Sequence, residues 1–339
     1  MTRYRRMSVR LRGRPACHVS LTNPNSSRLA KPSPEPGTGP RLLALELWGV
    51  GDVALAVPFL REASRRTEVT LLAKPHAGPI LKYFAPGVRH VPLEAPWTAF
   101  SGKYRLHRWP WWTISRTLFL LREGRFDLGV SARPDPRDHV ILGLARVRRK
   151  LGYPRAGSGC LLDESPPPTG AHRADHWTGL AEALGWKLDP PVPRPRHGRR
   201  IAIHPGAGNK VREWPLESFA QLAENLTRDG WEVRWLDPKS RDLAHLIQSL
   251  DECDRFIGND SGPGHLAALL GVPTFTIFGP QLPERFAPRH PRASWIEGAA
   301  CAYRPCSDRC HYTEARCLTA RSAAEVWRAI TPWLNGKPA

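Results

Sequence analysis

Along most of the chain, short runs of consecutive apolar residues alternate with longer stretches whose apolar positions recur every three or four residues. The runs LLALEL, EVTLLA and FDLGV read as buried strands, and DVALAVPFLREASRR, ISRTLFLLREG and RADHWTGLAEALG read as helices. Strands and helices that alternate in this way predict a parallel sheet with crossover helices between residues 41 and 187. The proline-dense stretch LDPPVPRPRHGRR continues neither element, so residues 188–199 read as a linker. A second alternating run fills 200–339. It comprises the strand RIAIH, a helix with Leu216, Phe219, Leu222, Ala223 and Leu226 on one face, the strand EVRWL, the helix RDLAHLIQSL, and the unit FIGNDSGPGHLAALLGVPTFTIFGP. Ser322 and Glu325 have capping-box spacing at the start of a last helix carrying Val326, Trp327, Ile330 and Leu334. The expected fold class is α/β, with two tandem Rossmann-like domains and a cleft between them.

Composition narrows the class of protein. The 339 residues are 41% hydrophobic, enough for two ordinary cores, and no run of 18 apolar residues crosses a membrane. Residues 1–40 are rich in Arg, Pro and Ser and lack the apolar centre of a secretory signal, so they read as a disordered extension on a cytoplasmic protein. In that compartment the seven cysteines are thiols or metal ligands before they are disulfides. The formal charge of +19 points to anionic company: nucleic acid, an anionic membrane surface, or phosphorylated small molecules. No helix-turn-helix, zinc-finger or aromatic RNA-binding spacing supports the first of these, and no nucleic-acid partner is expected.

The candidate chemistry gathers in loops at strand ends. In GNDSGPGH, the amides after Asp260 (those of Ser261, Gly262 and Gly264) fall in the first turn of a helix, where they lack intrahelical acceptors and the helix dipole favours an anion such as phosphate. The same residues also serve a plain capped turn, so the loop alone leaves both readings open. Lys210 and Arg212 precede another helix start. Asp52 follows the glycine turn of GVGDVA, where it serves as a helix cap or as an acid facing the cleft.

Three blocks, LLALELWGVGDVALAVPFLRE, IAIHPGAGNKVREWPLESFAQLAENL and FIGNDSGPGHLAALLGVPTFTIFGP, resemble in order, spacing and domain placement the heptosyltransferase-like glycosyltransferases of family nine, which have the two-domain GT-B fold. The resemblance covers roughly residues 41–334. It implies an inverting, metal-independent transfer of a sugar, most simply heptose from ADP-heptose, onto a cell-envelope glycan or glycolipid such as the lipopolysaccharide core, on the cytoplasmic membrane face. No cofactor is implied beyond the nucleotide-sugar substrate. Asp52 matches the family's general base. Arg212 aligns with the lysine of a Lys-x-Trp-Pro pattern that touches donor phosphates. Ser261, Gly262 and His265 match positions around the diphosphate, with Asp260 as the acid anchoring their loop. The segment DPKS after EVRWL is shorter than the family's, leaving Asp237 as the nearest substitute for an acid at the donor ribose; a non-catalytic nucleotide-sugar-binding relative is therefore the alternative, and a nucleic-acid binder the more distant one.

On the acceptor side the expected cations are Arg108, Arg133 and Arg137, with His172 and His176 nearby. Lys103, Arg105 and Arg108 interleave with Trp109, Trp111 and Trp112, a mixture suited equally to an anionic membrane, a phosphorylated acceptor or a packed corner. Cys301, Cys306, Cys310 and Cys317 lack paired C-x2-C spacing and are read as structural, with no metal assigned.

Overall fold

The computed structural model describes residues 39–99, 105–307 and 309–336. Nearly all of the expected extension 1–40, together with Lys103 and Cys17, lies outside the described residues. Ten strands form two parallel five-stranded sheets. The first holds β1 (Arg41–Glu46), β2 (Glu68–Ala73), β3 (Arg89–Pro92), β4 (Leu128–Ser131) and β5 (Arg149–Gly152) in the order β3-β2-β1-β4-β5. The second holds β6 (Arg200–His204), β7 (Glu232–Trp235), β8 (Arg255–Asn259), β9 (Thr274–Phe278) and β10 (Ser294–Glu297) in the order β10-β9-β8-β6-β7. All strand pairs are parallel, with Leu45 opposite Leu72 and Ser131 and Ile203 opposite Ile257. Central strands covered on both faces need apolar side chains throughout, which is why LLALE, RFIGN and TFTIF are buried almost end to end.

The crossover helices of the first half are α1 (Val50–Ser64), α2 (Ala77–Phe84), α3 (Trp111–Glu123), α4 (Pro136–Leu144) and α5 (Arg173–Ala183). The second half carries α6 (Leu216–Arg228), α7 (Leu243–Asp251), α8 (Gly262–Leu269), two short turns α9 (Pro283–Phe286) and α10 (Arg316–Thr319), and the final α11 (Ala323–Leu334). The Ser322–Glu325 capping box forms as the spacing predicts. Leu216 departs from expectation: it is the first residue of α6 and points to solvent, because the helix begins one turn short of the buried face made by Phe219, Leu222, Ala223 and Leu226.

One apolar cluster runs from α1 and β2 through Trp177 and Leu180 of α5 into Phe256, Leu266 and Ala267 of the second half, so the two sheets share a core. The joint depends on two close approaches. A Cβ at Gly51 would lie 2.8 Å from the His265 ring, and one at Gly262 would lie 2.7 Å from Val50. Bare backbone is therefore required where the starts of α1 and α8 touch. In denaturant unfolding, Gly51→Ala is expected to cost about 1–3 kcal/mol through overpacking. Gly143→Ala, at an exposed α4 position with open space around it, is expected to raise stability by about 0.5–1 kcal/mol.

Candidate active site

Parallel sheets place ligands beyond the carboxyl ends of their strands, where the strand order reverses direction. Here the reversals fall between β1 and β4 in the first sheet and between β6 and β8 in the second. Each of these four strands ends in candidate residues: Asp52 after β1, Arg133 after β4, Lys210 and Arg212 after β6, and Asp260 to His265 after β8. The structure thus brings the two halves of the expected site to facing positions, with α1 and α8 start to start.

Asp52 is the third residue of α1. Its Oδ2 accepts the Gly49 N–H at 3.2 Å, while Oδ1 takes a charge-assisted hydrogen bond from Arg133 and lies 3.6 Å from Arg173 Nε. It therefore caps α1 while pairing with two guanidinium groups. Burial works to raise this carboxyl, but Arg133, Arg173 and the Gly49 amide outweigh it and hold Asp52 below the usual carboxylate range. Arg133 is itself placed over the Trp48 ring, 4.4 Å from its centre. Beneath this pair lies Glu46, the last residue of β1 and fully buried, with Arg173 at 3.8 Å and Arg133 at 3.9 Å. Burial, then the charge of Asp52, push Glu46 up to about 7. Asp138, fully buried and bonded to Ser131 Oγ at 3.0 Å, is likewise raised to about 7, by burial and then by Asp135. Glu46, Arg173 and Asp138 did not figure among the expected site residues. For Glu46 the signal was present, since a charged residue closing an apolar strand must be paired or neutral if the strand is buried; Arg173 and Asp138, on helices, carried no such signal.

On the facing side, Ser261 precedes α8 in extended conformation and its side chain makes no capping bond; its Oγ instead donates to the Asn259 carbonyl at 3.2 Å. Ser261 therefore does not cap α8 through its side chain. His265 is buried, its Nδ1 meets no acceptor or donor, and burial, then His172, lower it to about 4, so it is neutral. Arg212 ends a short 3-10 turn of Lys210–Arg212 and lies 3.5 Å from Asp260, whereas Lys210 is exposed. A residue not anticipated holds these two loops together: fully buried Asn259 accepts the Trp214 N–H at 3.0 Å and donates to the Pro205 carbonyl at 2.6 Å. Its signal was the invitingly polar end of an otherwise apolar strand.

The remaining expectations divide. His172 reaches across the seam, donating from Nε2 to the Ala287 carbonyl at 2.8 Å and accepting from Arg289 at 3.0 Å, so it fastens the halves together. The His176 ring packs edge-on against Tyr153. Arg137 forks onto Asp135, and Arg108 is exposed in a turn whose neighbour Trp109 packs on Trp97; neither joins the Asp52 cluster. Asp237 is exposed and accepts the Lys239 N–H at 2.8 Å, a turn-forming bond. Among the described residues no group of three or more His, Cys, Asp or Glu is arranged to hold a metal ion, and the four clustered cysteines are in no disulfide.

The raised Glu46 carries a pH signature. Unfolded, it releases its proton near the ordinary carboxylate value; folded, it keeps the proton up to about 7, so its contribution to stability falls as pH rises through that interval. Thermal melts from pH 5 to 7.5 are expected to favour Glu46→Gln over the wild type increasingly as pH rises; a constant offset would contradict the assignment.

Comparison with known proteins agrees with this fold. The model of glycosyltransferase family 9 (heptosyltransferase) matches residues 236–314. Lipopolysaccharide heptosyltransferase 1 of Pseudomonas aeruginosa is 31% identical over 94 residues, 22% of this chain and 26% of that protein. The chain thus aligns with only about a quarter of the length of this curated relative. Among solved structures, the family 9 glycosyltransferase of Veillonella parvula has a TM-score of 0.69 at 17% identity, covering 88% of this chain and 98% of that one. E. coli heptosyltransferase WaaC with ADP has a TM-score of 0.65 at 16% identity, covering 86% and 99%. The chain thus has the two-domain GT-B fold, and its residues 236–314 are similar in sequence to glycosyltransferase family 9 (heptosyltransferase).

Proposed function

We propose that the protein is an inverting glycosyltransferase that moves a sugar, heptose from ADP-heptose, onto a hydroxyl of a cell-envelope glycan or glycolipid such as the lipopolysaccharide core. The observation that carries the reading is the juxtaposition, at two facing switch points, of an ionised carboxylate with an anion-suited helix start. The acceptor oxygen gives its proton to Asp52 and bonds to the anomeric carbon as the bond from that carbon to the donor phosphate breaks. The electron pair leaves with the nucleoside diphosphate, whose charge is received by the α8 amides and Arg212. Ion-paired to Arg133, Asp52 is a weak base. An anionic acceptor that draws Arg133 toward itself raises the Asp52 carboxyl as it binds, so base strength and acceptor occupancy rise together.

A membrane-bound acceptor also fits α3. Ile114, Thr117 and Leu121 hold this helix to the core, while Trp112 and Phe119, 81% and 62% exposed, face solvent beside Arg116 and Arg122. Aromatic rings with guanidinium groups suit the anionic inner face of the cytoplasmic membrane.

Titration calorimetry with nucleoside diphosphates and sugar-transfer assays test the first part. Asp52→Asn is expected to keep donor binding and lower turnover about 100-fold or more. Arg212→Ala is expected to weaken binding by about 1.5–3 kcal/mol. The non-catalytic alternative shows the Arg212 effect without turnover, and a wild type that ignores every nucleoside diphosphate refutes both. For the second part, the double variant Trp112→Ser with Phe119→Ser is expected to lose most sedimentation with vesicles containing anionic phospholipid. Undiminished sedimentation would remove α3 from the contact.

A further inference from the structure

A cavity of about 570 Å³ opens between the linker, the start of β8 and the end of α11, and none of the residues assigned above to sugar transfer line it. Its walls include Arg194, Arg196 and His197 of the linker, with Arg255, Arg292 and Asn335, and no Asp or Glu. The volume falls in the range of roughly 300–1,000 Å³ usual for ligand pockets.

The charges in these walls are not balanced. Arg255, the first residue of β8, is 7% exposed; among the described residues its only hydrogen bond goes to the Asp254 backbone carbonyl at 2.8 Å, and its Nε meets no acceptor. The rings of Trp231 and Trp333 lie 5.9 Å from its guanidinium carbon, which fixes the group without neutralising it. Burial, then the nearby Arg292, lower Arg255 to about 10, opposed in part by the charge of Asp254. Arg292 is held by its backbone: its N–H donates to His290 Nδ1 at 2.9 Å and its carbonyl accepts the Trp333 indole N–H at 2.8 Å. Its guanidinium is in no ion pair among the described residues. At the cavity edge, Arg194 and Arg196 share one carboxylate, Asp251, each at 3.0 Å. A largely buried guanidinium with no carboxylate in direct ion-pair contact is unfavourable, and an anion entering the cavity offsets that penalty.

We propose that this cavity is a second anion site, which takes a free oligophosphate of two or more linked phosphate groups, with Arg255 and Arg292 as its principal contacts. Two guanidinium forks presented into one space match adjacent phosphates better than a single ion, since each fork engages two oxygens of one group. The linker supplies one wall and β8 and α11 the others, so the bound anion ties residues 194–197 to the second sheet.

The test is calorimetric titration of the full chain with pyrophosphate. Because a diphosphate also suits the α8 loop, Arg292→Ala and Arg212→Ala are compared. Arg292→Ala, checked for unchanged circular dichroism, is expected to weaken one class of pyrophosphate sites about tenfold or more, with Arg292→Lys, which keeps the charge but not the fork, restoring only part of the affinity and Arg212→Ala leaving that class intact. Inorganic phosphate is expected to bind there more weakly than pyrophosphate. The proposal is overturned if the wild type takes up no pyrophosphate, if Arg292→Ala leaves binding unchanged, if Arg212→Ala alone abolishes it, or if phosphate binds as tightly as pyrophosphate.

Discussion

The contact on which the rest depends is the meeting of the α1 and α8 starts. Gly51 lies against His265 and Gly262 against Val50, with no room for a Cβ at either glycine. Both helices follow strands at the reversal points of their sheets, so bringing their first turns together sets the two switch points face to face. Two positive helix ends approaching in this way repel, and negative charge between them is favoured. Asp52 supplies part of it, and a donor diphosphate supplies the rest under the proposed function.

The charges beneath that contact explain how an acid and two guanidinium groups coexist in the interior. Arg173 is buried and bonds the Ala132 carbonyl at 2.7 Å, Arg133 rests on Trp48, and both lie within ion-pair reach of Glu46 and Asp52. Two carboxyls so close do not ionise with equal ease. The one nearer solvent, in direct contact with Arg133, stays charged, and the fully buried one retains its proton to about neutral pH. Environment alone thus gives two chemically similar side chains different states, with the ionised one at the seam between the domains.

Rigidity comes largely from uncharged groups. Asn259 spans the loops after β6 and β8, and Trp214, fully buried, donates its indole N–H to the Arg321 carbonyl at 2.9 Å while packing edge-on against Phe219. Across the seam, neutral His172 bonds the Ala287 carbonyl and Arg289 pairs with Asp175. The phosphate-suited loop is held at its start by Asn259, which limits the reorganisation that substrate binding must supply.

By itself the sequence determined the elements and their class: apolar runs of strand length, helices with one apolar face and the Ser322–Glu325 box all follow from local periodicity and local hydrogen bonds, and all are present. It also marked Asp52, Arg212 and the loop from Asp260 to His265, because the order and spacing of three blocks resemble those of family nine, which the glycine turns alone would not have singled out. The short strands β3, β5 and β10 escaped it, since four residues with mixed polarity carry little periodic signal and form only beside a neighbour already in place. Tertiary structure alone decided that Glu46 is half of a buried pair, that Asn259 is a staple and His172 a clasp, and that Arg137 turns to Asp135 while Arg133 turns to Asp52. Each of those facts depends on a partner far along the chain, or on which of several near ones packing leaves within reach, and hydrophobic spacing contains no record of either.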